Sequence, residues 1–276
     1  INYERYHFNI LLILDELFAV NKQRMRAFCA MVLEGKKEYD WDFDWQFQTH
    51  ASARLDLETL QLAKQAGCVS FSYGLESASP TVLESMNKKI TPEQVAEAIR
   101  MAQEAEVGFS ANLIFGDVAE TPYTVAESLK FWLEHCKEVC VFLGTVAPYP
   151  GSALFETCRK RGMFPDKQAY YENIDKNPVN MSKIPDAEWG ATTQLLHYLE
   201  TSWLFVKSAK IKNIEKATGL PTKLLAVQGG DYYRLKADCP HCRKETIYVE
   251  RLASTKQPFW LGTNCTNCNR KLKIGV

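Results

Sequence analysis

Residues 68–77 read CVSFSYGLES. An apolar, aromatic and serine-rich run fit for a strand passes into Gly-Leu-Glu-Ser, a polar ending that a purely structural strand does not need. The same construction recurs on both sides. Upstream, FNILLILDE (8–16) reads as a buried parallel strand closed by two acids, and WDFDWQFQTHASA (41–53) as an alternating aromatic strand. Downstream, FSANLIFGDVAET (109–121) and CVFLGTVAPYPGS (140–152) are strands that end in a loop and in a Pro-Gly turn. Helical patterns separate them. NKQRMRAFCAMVLEGK places Met25, Phe28, Cys29, Val32 and Leu33 on one face, and DLETLQLAKQAG stops at a glycine. TPEQVAEAIRMAQEAEVG opens with Thr91 as N-cap and Pro92 at the first helical position, and TVAESLKFWLEHCKEV follows the fourth strand.

Five β/α units in series predict an α/β fold with a parallel sheet and right-handed crossovers. An open sheet and a barrel both satisfy that rhythm. Each strand ends in residues unsuited to burial: Asp15-Glu16, Thr49 to Arg54, Gly74-Glu76-Ser77, Gly116-Asp117-Glu120 and Tyr149-Pro150-Gly151. Ligand sites of parallel α/β folds lie at that edge, so five such endings in register point to a shared pocket. Beyond residue 152 the rhythm stops. A loop with short helices precedes residues 185–219, which read as a long helix or helix pair, and glycines 219, 229 and 230 lead into a cysteine-rich end. Three parts are expected: a barrel-like unit at 1–165, a helical extension at 166–225 and a small metal-bound module at 226–276.

The 276 residues include 46% hydrophobic ones, enough for one large core and an appendage. No apolar run reaches the roughly 18 residues a membrane helix requires, so no membrane partner is expected. The opening INYERYHFNILLILDE has neither a basic n-region nor a cleavage site, and it lacks an initiator Met. The chain therefore reads as a piece of a longer polypeptide, or a trimmed one, in the reducing cytoplasm. Net charge is zero but unevenly spread: residues 1–206 hold 19 Lys and Arg against 28 Asp and Glu, residues 207–276 hold 14 against 5. A basic end fits an anionic partner such as nucleic acid, and equally a solvated lysine-rich surface.

Cys239, Cys242, Cys265 and Cys268 form two C-x-x-C pairs with 22 residues between them. Pro240, Asn264 and Asn267 suit tight knuckles, and TIYVE and FWLG supply strands between, as in a zinc ribbon with four thiolate ligands. Iron in the same four-thiolate site is the alternative. A redox dithiol would want a βαβ frame that neither pair has. His197 and His241 read as bystanders, and Cys29, Cys68, Cys136, Cys140 and Cys158 as ordinary thiols. So small a module draws its folding energy from metal.

The blocks LDELF, QTHASARLDLETLQLAKQAGC, YGLESASPTVLESMNKKITPEQV, IFGDVAETPYT and APYPGSALFETCRKRGM resemble, in order, the second through sixth strands of a radical S-adenosylmethionine (SAM) barrel. The likeness covers residues 5–165 and is strongest to the branch whose members usually carry an N-terminal cobalamin-binding domain. It implies a partial (β/α)6 barrel with five strands present, SAM, a 4Fe–4S cluster, an electron donor and, in that branch, cobalamin. The family's cluster ligands lie in a C-x-x-x-C-x-x-C loop after the first strand. This chain has no such loop, so the resemblance implies ligands upstream of Ile1 and no activity for the chain alone. Carried over by motif, Asp15 and Glu16 stand where the family places an acid near the SAM amino group, and they also read as a helix-initiating pair. Glu76 and Ser77 match the family's Glu-Ser near ribose or methionine atoms, with Gly74 allowing close backbone approach, while a capping serine with a first-turn acid fits the same pair. Arg54 is the expected partner of the SAM carboxylate, with Lys88 and Lys89 as rivals and surface charge as the plain reading. Ile114 and Gly116 match the adenine-contacting motif, although Asn112 replaces its first glycine. Glu120 fits that motif or a cap, and Tyr149 lies in a turn beside adenine or in a structural turn. The function expected is radical chemistry on an unknown substrate, methyl transfer included. A binding module whose basic ribbon docks RNA, a carrier protein or another anionic partner is the alternative, and an unrelated β/α-barrel enzyme a third.

Overall fold

The computed structural model describes residues 2–15, 18–49, 55–164, 166–174, 179–218, 231–252 and 259–275. A helical turn, α1 (Asn2–Tyr6), precedes the β/α series, where the sequence suggested an immediate strand. The series runs β1 (Ile10–Ile13), α2 (Lys22–Glu38), β2 (Asp44–Thr49), α3 (Leu57–Gln65), β3 (Cys68–Glu76), α4 (Pro80–Ser85), α5 (Pro92–Glu104), β4 (Gly108–Phe115), α6 (Pro122–Phe131), a π-helical turn (Trp132–Cys136) and β5 (Cys140–Thr145). The five strands lie side by side in chain order and are all parallel. Their C-terminal ends share one edge.

The two faces of this sheet differ. Trp45, Phe47, Phe71, Tyr73, Phe109, Leu113, Phe115, Val141 and Leu143 are buried against the helices. The alternate residues form a half-buried to exposed face: Leu12, Gln46, Gln48, Ser70, Ser72, Ser110, Asn112 and Phe142. Register places Gln48, Ser72, Ser110 and Cys140 in one row across four strands. The five-stranded parallel sheet with its amide- and hydroxyl-lined second face is consistent with the partial (β/α)6 barrel expected from the sequence. The helix starts are specified locally. Asn21 and Asp56 cap α2 and α3, and Thr91 with Gln94 forms a reciprocal capping box at α5, as the Thr91-Pro92 signature predicts.

After β5 come α7 (Ala153–Lys160), α8 (Lys167–Glu172) and α9 (Asp186–Ser202). The expected long helix over 185–219 is corrected here: α9 ends at Ser202, Trp203 takes a left-handed conformation, and Ser208–Lys216 is strand β6. A register shift between Ile211 and Asn213 explains the misreading. The extra bulge residue spaces the inward side chains as Ala209, Ile211, Ile214, so the period-2 signal breaks and helical spacing takes its place. β6 is the central strand of a second sheet, ordered β8-β7-β6-β10-β9, with β7 (Tyr232–Asp238), β8 (Glu245–Arg251), β9 (Trp260–Asn264) and β10 (Lys271–Gly275). β6 thus lies in the same sheet as the strands of the cysteine module. The core of this sheet is Ala209, Leu235, Ala237, Tyr248, Leu272, Ile274 and three of the four cysteines.

Candidate functional site

The C-terminal edge of the parallel sheet carries most of the residues singled out above. Gln48 donates to the Leu14 carbonyl at 3.2 Å, joining the ends of β1 and β2, and Asp15 is ion-paired with Arg24 at 2.8 Å. Glu16 and Arg54 lie outside the described residues.

On β3 the register shifts between Tyr73 and Glu76, where three residues on β3 span two on β4. Glu76 has φ +62°, a left-handed conformation uncommon for a side chain of its size. The bulge turns its carboxylate back over Gly74, and Lys88 holds it at 2.9 Å. A Cβ on Gly74 would stand 3.2 Å from the Glu76 Oε1 and 3.8 Å from the Lys88 Nζ, so glycine there keeps room for the pair. Strained backbone, a bulge and a half-buried charge at a sheet edge are features that structural stability alone does not favour. Lys88, read from sequence as a rival to Arg54, pairs with Glu76 here.

Ser77 turns the other way. It is buried, its hydroxyl stands 3.2 Å from that of Ser128, and it accepts the Ser79 N–H. It belongs to the strand-to-α4 connection and does not reach the polar face. Glu120 is also buried: its carboxylate accepts the Gly116 N–H at 3.2 Å and the Thr124 hydroxyl at 2.6 Å, closing the turn from β4 to α6. Gly116 has φ +102°, and a Cβ there would meet the Trp189 ring at 2.9 Å, so the start of α9 packs against it. Ile114, half-buried, and Asn112, exposed, lie on the polar face. Tyr149 is 58% exposed in the Pro-Tyr-Pro-Gly turn, where its carbonyl accepts from Ser152. The edge therefore brings together Gly74, Glu76, Lys88, Asn112 and Ile114, with Asp15 and Tyr149 at its rim, while Ser77, Gly116 and Glu120 build the scaffold behind.

Burial pushes the Glu120 carboxyl above the usual carboxylate range, against the opposing pull of Thr124 and Gly116. A raised acid contributes stability below its ordinary pKa and loses that contribution as pH rises through the folded value. Glu120→Gln keeps an acceptor for Gly116 without that penalty. Its melting temperature relative to wild type is expected to rise from pH 4 to pH 7; a flat difference across that range would contradict this reading.

The four cysteines form the other constellation. Their sulfurs all lie within 4.8 Å of one another, with Cys239–Cys268 and Cys242–Cys265 at 3.8 Å. Ligands about 2.3 Å from a tetrahedral ion stand about 3.8 Å apart, so the four positions fit one metal with no open position. Backbone N–H groups of His241, Asn267 and Cys268 point at Cys239 and Cys265, as knuckles around anionic sulfur require. Among the described residues no other group of three or more His, Cys, Asp or Glu gathers in this way. Cys136 is buried, and Cys140 sits against the Asn264 amide at 3.2 Å.

The module docks at the opposite edge from Glu76. Glu106 and Glu138, just before β4 and β5, receive it: Lys244 pairs with Glu106 at 2.9 Å, and Lys207, Arg270 and His241 surround Glu138 at 3.4–3.5 Å. The Lys271 N–H donates to the Glu138 carbonyl, and Lys64 to the Asn267 carbonyl. Asn269 rests against Gly108, where a Cβ would come within 3.1 Å of it and 2.9 Å of the Val69 carbonyl. The second knuckle is therefore a floor under the strand starts. Glu76 is level with Leu113, and the five residue steps along β4 from Gly108 to Leu113 put about 17 Å between the floor and the Glu76 edge. The basic end finds part of its anionic partner in its own barrel. Glu138 and the Asn264 and Asn269 contacts escaped the sequence reading; the only hint was the opposite charge of the two halves.

Residues 28–132, from α2 to the π-helical turn, match the model of the Radical SAM superfamily. This stretch is similar to a radical SAM domain. An uncharacterised methyltransferase of Pyrococcus horikoshii is 32% identical over 147 residues, which are 52% of this chain and 30% of that protein. The anaerobic magnesium-protoporphyrin IX monomethyl ester cyclase of Cereibacter sphaeroides is 28% identical over 147 residues, 52% of this chain and 23% of that one. Among solved structures, the radical SAM methyltransferase TsrM of Kitasatospora setae aligns at 16% identity with a TM-score of 0.47, over 59% of this chain and 32% of its own. The chain spans less than a third of the length of either curated relative. The radical SAM match runs through β2, β3 and β4, the strands that build the polar face. Among the described residues no helix is long and apolar enough to cross a membrane.

Proposed function

We propose that this chain is the SAM-holding part of a radical enzyme that transfers a methyl group to an organic substrate. The observation that carries the reading is the radical SAM match coinciding with a strained, ion-paired Glu76 at the C-terminal sheet edge. The relative named as a methyltransferase supports methyl transfer over the family's other outcomes. SAM offers a cationic amino group, ribose hydroxyls and a carboxylate. In this reading Glu76 accepts from the amino group or a ribose hydroxyl, Lys88 orients Glu76 or takes the carboxylate, and Ile114 packs against adenine. Asp15, Arg54 and Tyr149 are assigned to the rim of the same ligand. Gln48, Ser72, Ser110 and Asn112 line the space below it, where a substrate would meet hydrogen-bonding groups without net charge.

A reduced 4Fe–4S cluster would supply the electron that cleaves SAM, and cobalamin, in the branch the sequence resembles, would carry the methyl group. The thiols of this chain do not fit the cluster's role: apart from the closed four-cysteine group none gathers, and that group lies at the far edge. The chain by itself is accordingly proposed to be inactive, with the cluster and the electron donor reaching the edge from other residues or another polypeptide. The four cysteines are assigned zinc, because they fill a tetrahedron and leave no position for substrate.

The test is reductive SAM cleavage. A polypeptide that joins this chain to a cluster-bearing segment, reconstituted with iron and sulfide and then reduced, is expected to form 5′-deoxyadenosine or S-adenosylhomocysteine from SAM. Neither product forming, with the cluster present by its visible absorption, would overturn the reading.

A further inference from the structure

The face of the second sheet that points away from its cysteine core is basic and aromatic where the barrel does not cover it. Register sets Trp260, Gly275 and Lys210 in one row across β9, β10 and β6, with Lys273 in the next row. Trp260 is 55% exposed, and the Lys273 ammonium lies 5.2 Å from its ring centroid. Gly275 has no side chain between Trp260 and Lys210, and a Cβ there would stand 2.7 Å from the Phe259 carbonyl. The gap is a groove of about 410 Å³ lined by Trp260, Phe259, Lys273, Lys210 and Ser208. Lys210 has no ion pair among the described residues. Farther along the same face Lys236 and Arg234 share a single carboxylate, Glu215, at 4.0 and 3.7 Å. Cations thus outnumber acids along a track that begins at an exposed indole.

We propose that this face binds single-stranded RNA, with a base stacked on Trp260 and the backbone passing Lys210 and Lys273 toward Lys236. The chemistry favours nucleic acid over an acidic protein surface. An acidic protein needs the cations alone, whereas a base needs a flat ring beside a groove whose floor lacks a side chain, and phosphates need cations spaced along a line. The cation already over the indole is compatible, because a bound phosphate draws Lys273 aside and a base takes its place. The inference stands apart from SAM chemistry, since the groove lies on the module and not at the Glu76 edge.

The experiment is fluorescence anisotropy of a labelled mixed-sequence 12-nucleotide RNA with the whole chain, without SAM or reductant. Three phosphate contacts predict that the association constant falls roughly 20-fold between 50 and 200 mM salt. Trp260→Ala is expected to weaken binding about tenfold or more, Trp260→Phe to restore most of it, and Lys210→Glu with Lys273→Glu to flatten the salt dependence. Lys130→Glu, an exposed lysine on α6, serves as the control and should change nothing. Zinc content and the thermal transition of each variant certify the fold. No binding by wild type, or binding indifferent to both Trp260→Ala and the double charge reversal, overturns the proposal. So does equal affinity for polyglutamate that Trp260→Ala leaves unchanged, which would make the face an acidic-protein site.

Discussion

Cys265→Ser should release the metal and unfold residues 208–275 while the parallel sheet stays formed. The module buries few large side chains of its own, and Cys239, Cys265 and Cys268 are themselves part of its core. Structural zinc in so small a unit supplies apparent binding energies of about 10–16 kcal/mol, all of it expressed as folding. Losing one of four ligands removes most of that and leaves two buried thiols beside the half-buried Cys242. Limited proteolysis is the check. Cleavage is expected throughout 208–275, with a resistant fragment that ends near Trp203, and zinc by elemental analysis should fall from one per chain to a small fraction. Because Asn269 sits on Gly108 and Lys271 on the Glu138 carbonyl, amide hydrogen exchange should also quicken at the first residues of β3, β4 and β5. Exchange at Gly74 to Glu76 should not change. A Cys265→Ser chain with an intact, protease-resistant module would show that packing alone holds it.

Glu76→Gly should separate function from stability. Glycine adopts φ near +60° without penalty, so the substitution relieves backbone strain worth on the order of 1 kcal/mol. It also breaks the Lys88 pair, but both partners retain some solvent contact and Lys88 can turn to water. Stability in chemical denaturation should therefore stay within about 1 kcal/mol of wild type. Ligand binding should not survive: a charge-assisted hydrogen bond to SAM is worth about 1.5–3 kcal/mol, roughly a 10- to 150-fold loss of affinity. Equilibrium dialysis with labelled SAM on the cluster-loaded polypeptide measures it. An affinity unchanged by Glu76→Gly would move the ligand away from this edge. A large loss of stability instead would make the left-handed Glu76 a structural device.

Much of this architecture was legible because its signals are local. The five strand runs announce themselves by apolar content and by their polar endings, and Thr91-Pro92 and Asp56 mark helix starts through chemistry that acts within four residues. The paired knuckles are equally local, since C-x-x-C and its turn residues carry their geometry with them. What stayed hidden depends on partners far along the chain. Ser77 and Glu120 are polar residues at strand ends, as Glu76 is. Only the bulge on β3 and the packing of Ser128 and Trp189 decide which of them faces the polar side of the sheet and which the helices. β6 was hidden by its own bulge, which replaced alternation with a helical spacing. The docking of the module was visible only as two oppositely charged halves, and Gly108 read as a helix stop when its small size also makes room for Asn269.

The proposed chemistry of the chain divides in two: a closed metal at the floor of the barrel and a ligand edge about 17 Å away along β4. X-ray absorption of the isolated chain tests that division most directly. The prediction is one zinc per chain with four sulfur neighbours at about 2.3 Å, no oxygen or nitrogen in the coordination sphere, and no iron edge. Iron at these four cysteines, with the iron–iron scattering of a cluster, would contradict it and would make the far edge the reactive centre.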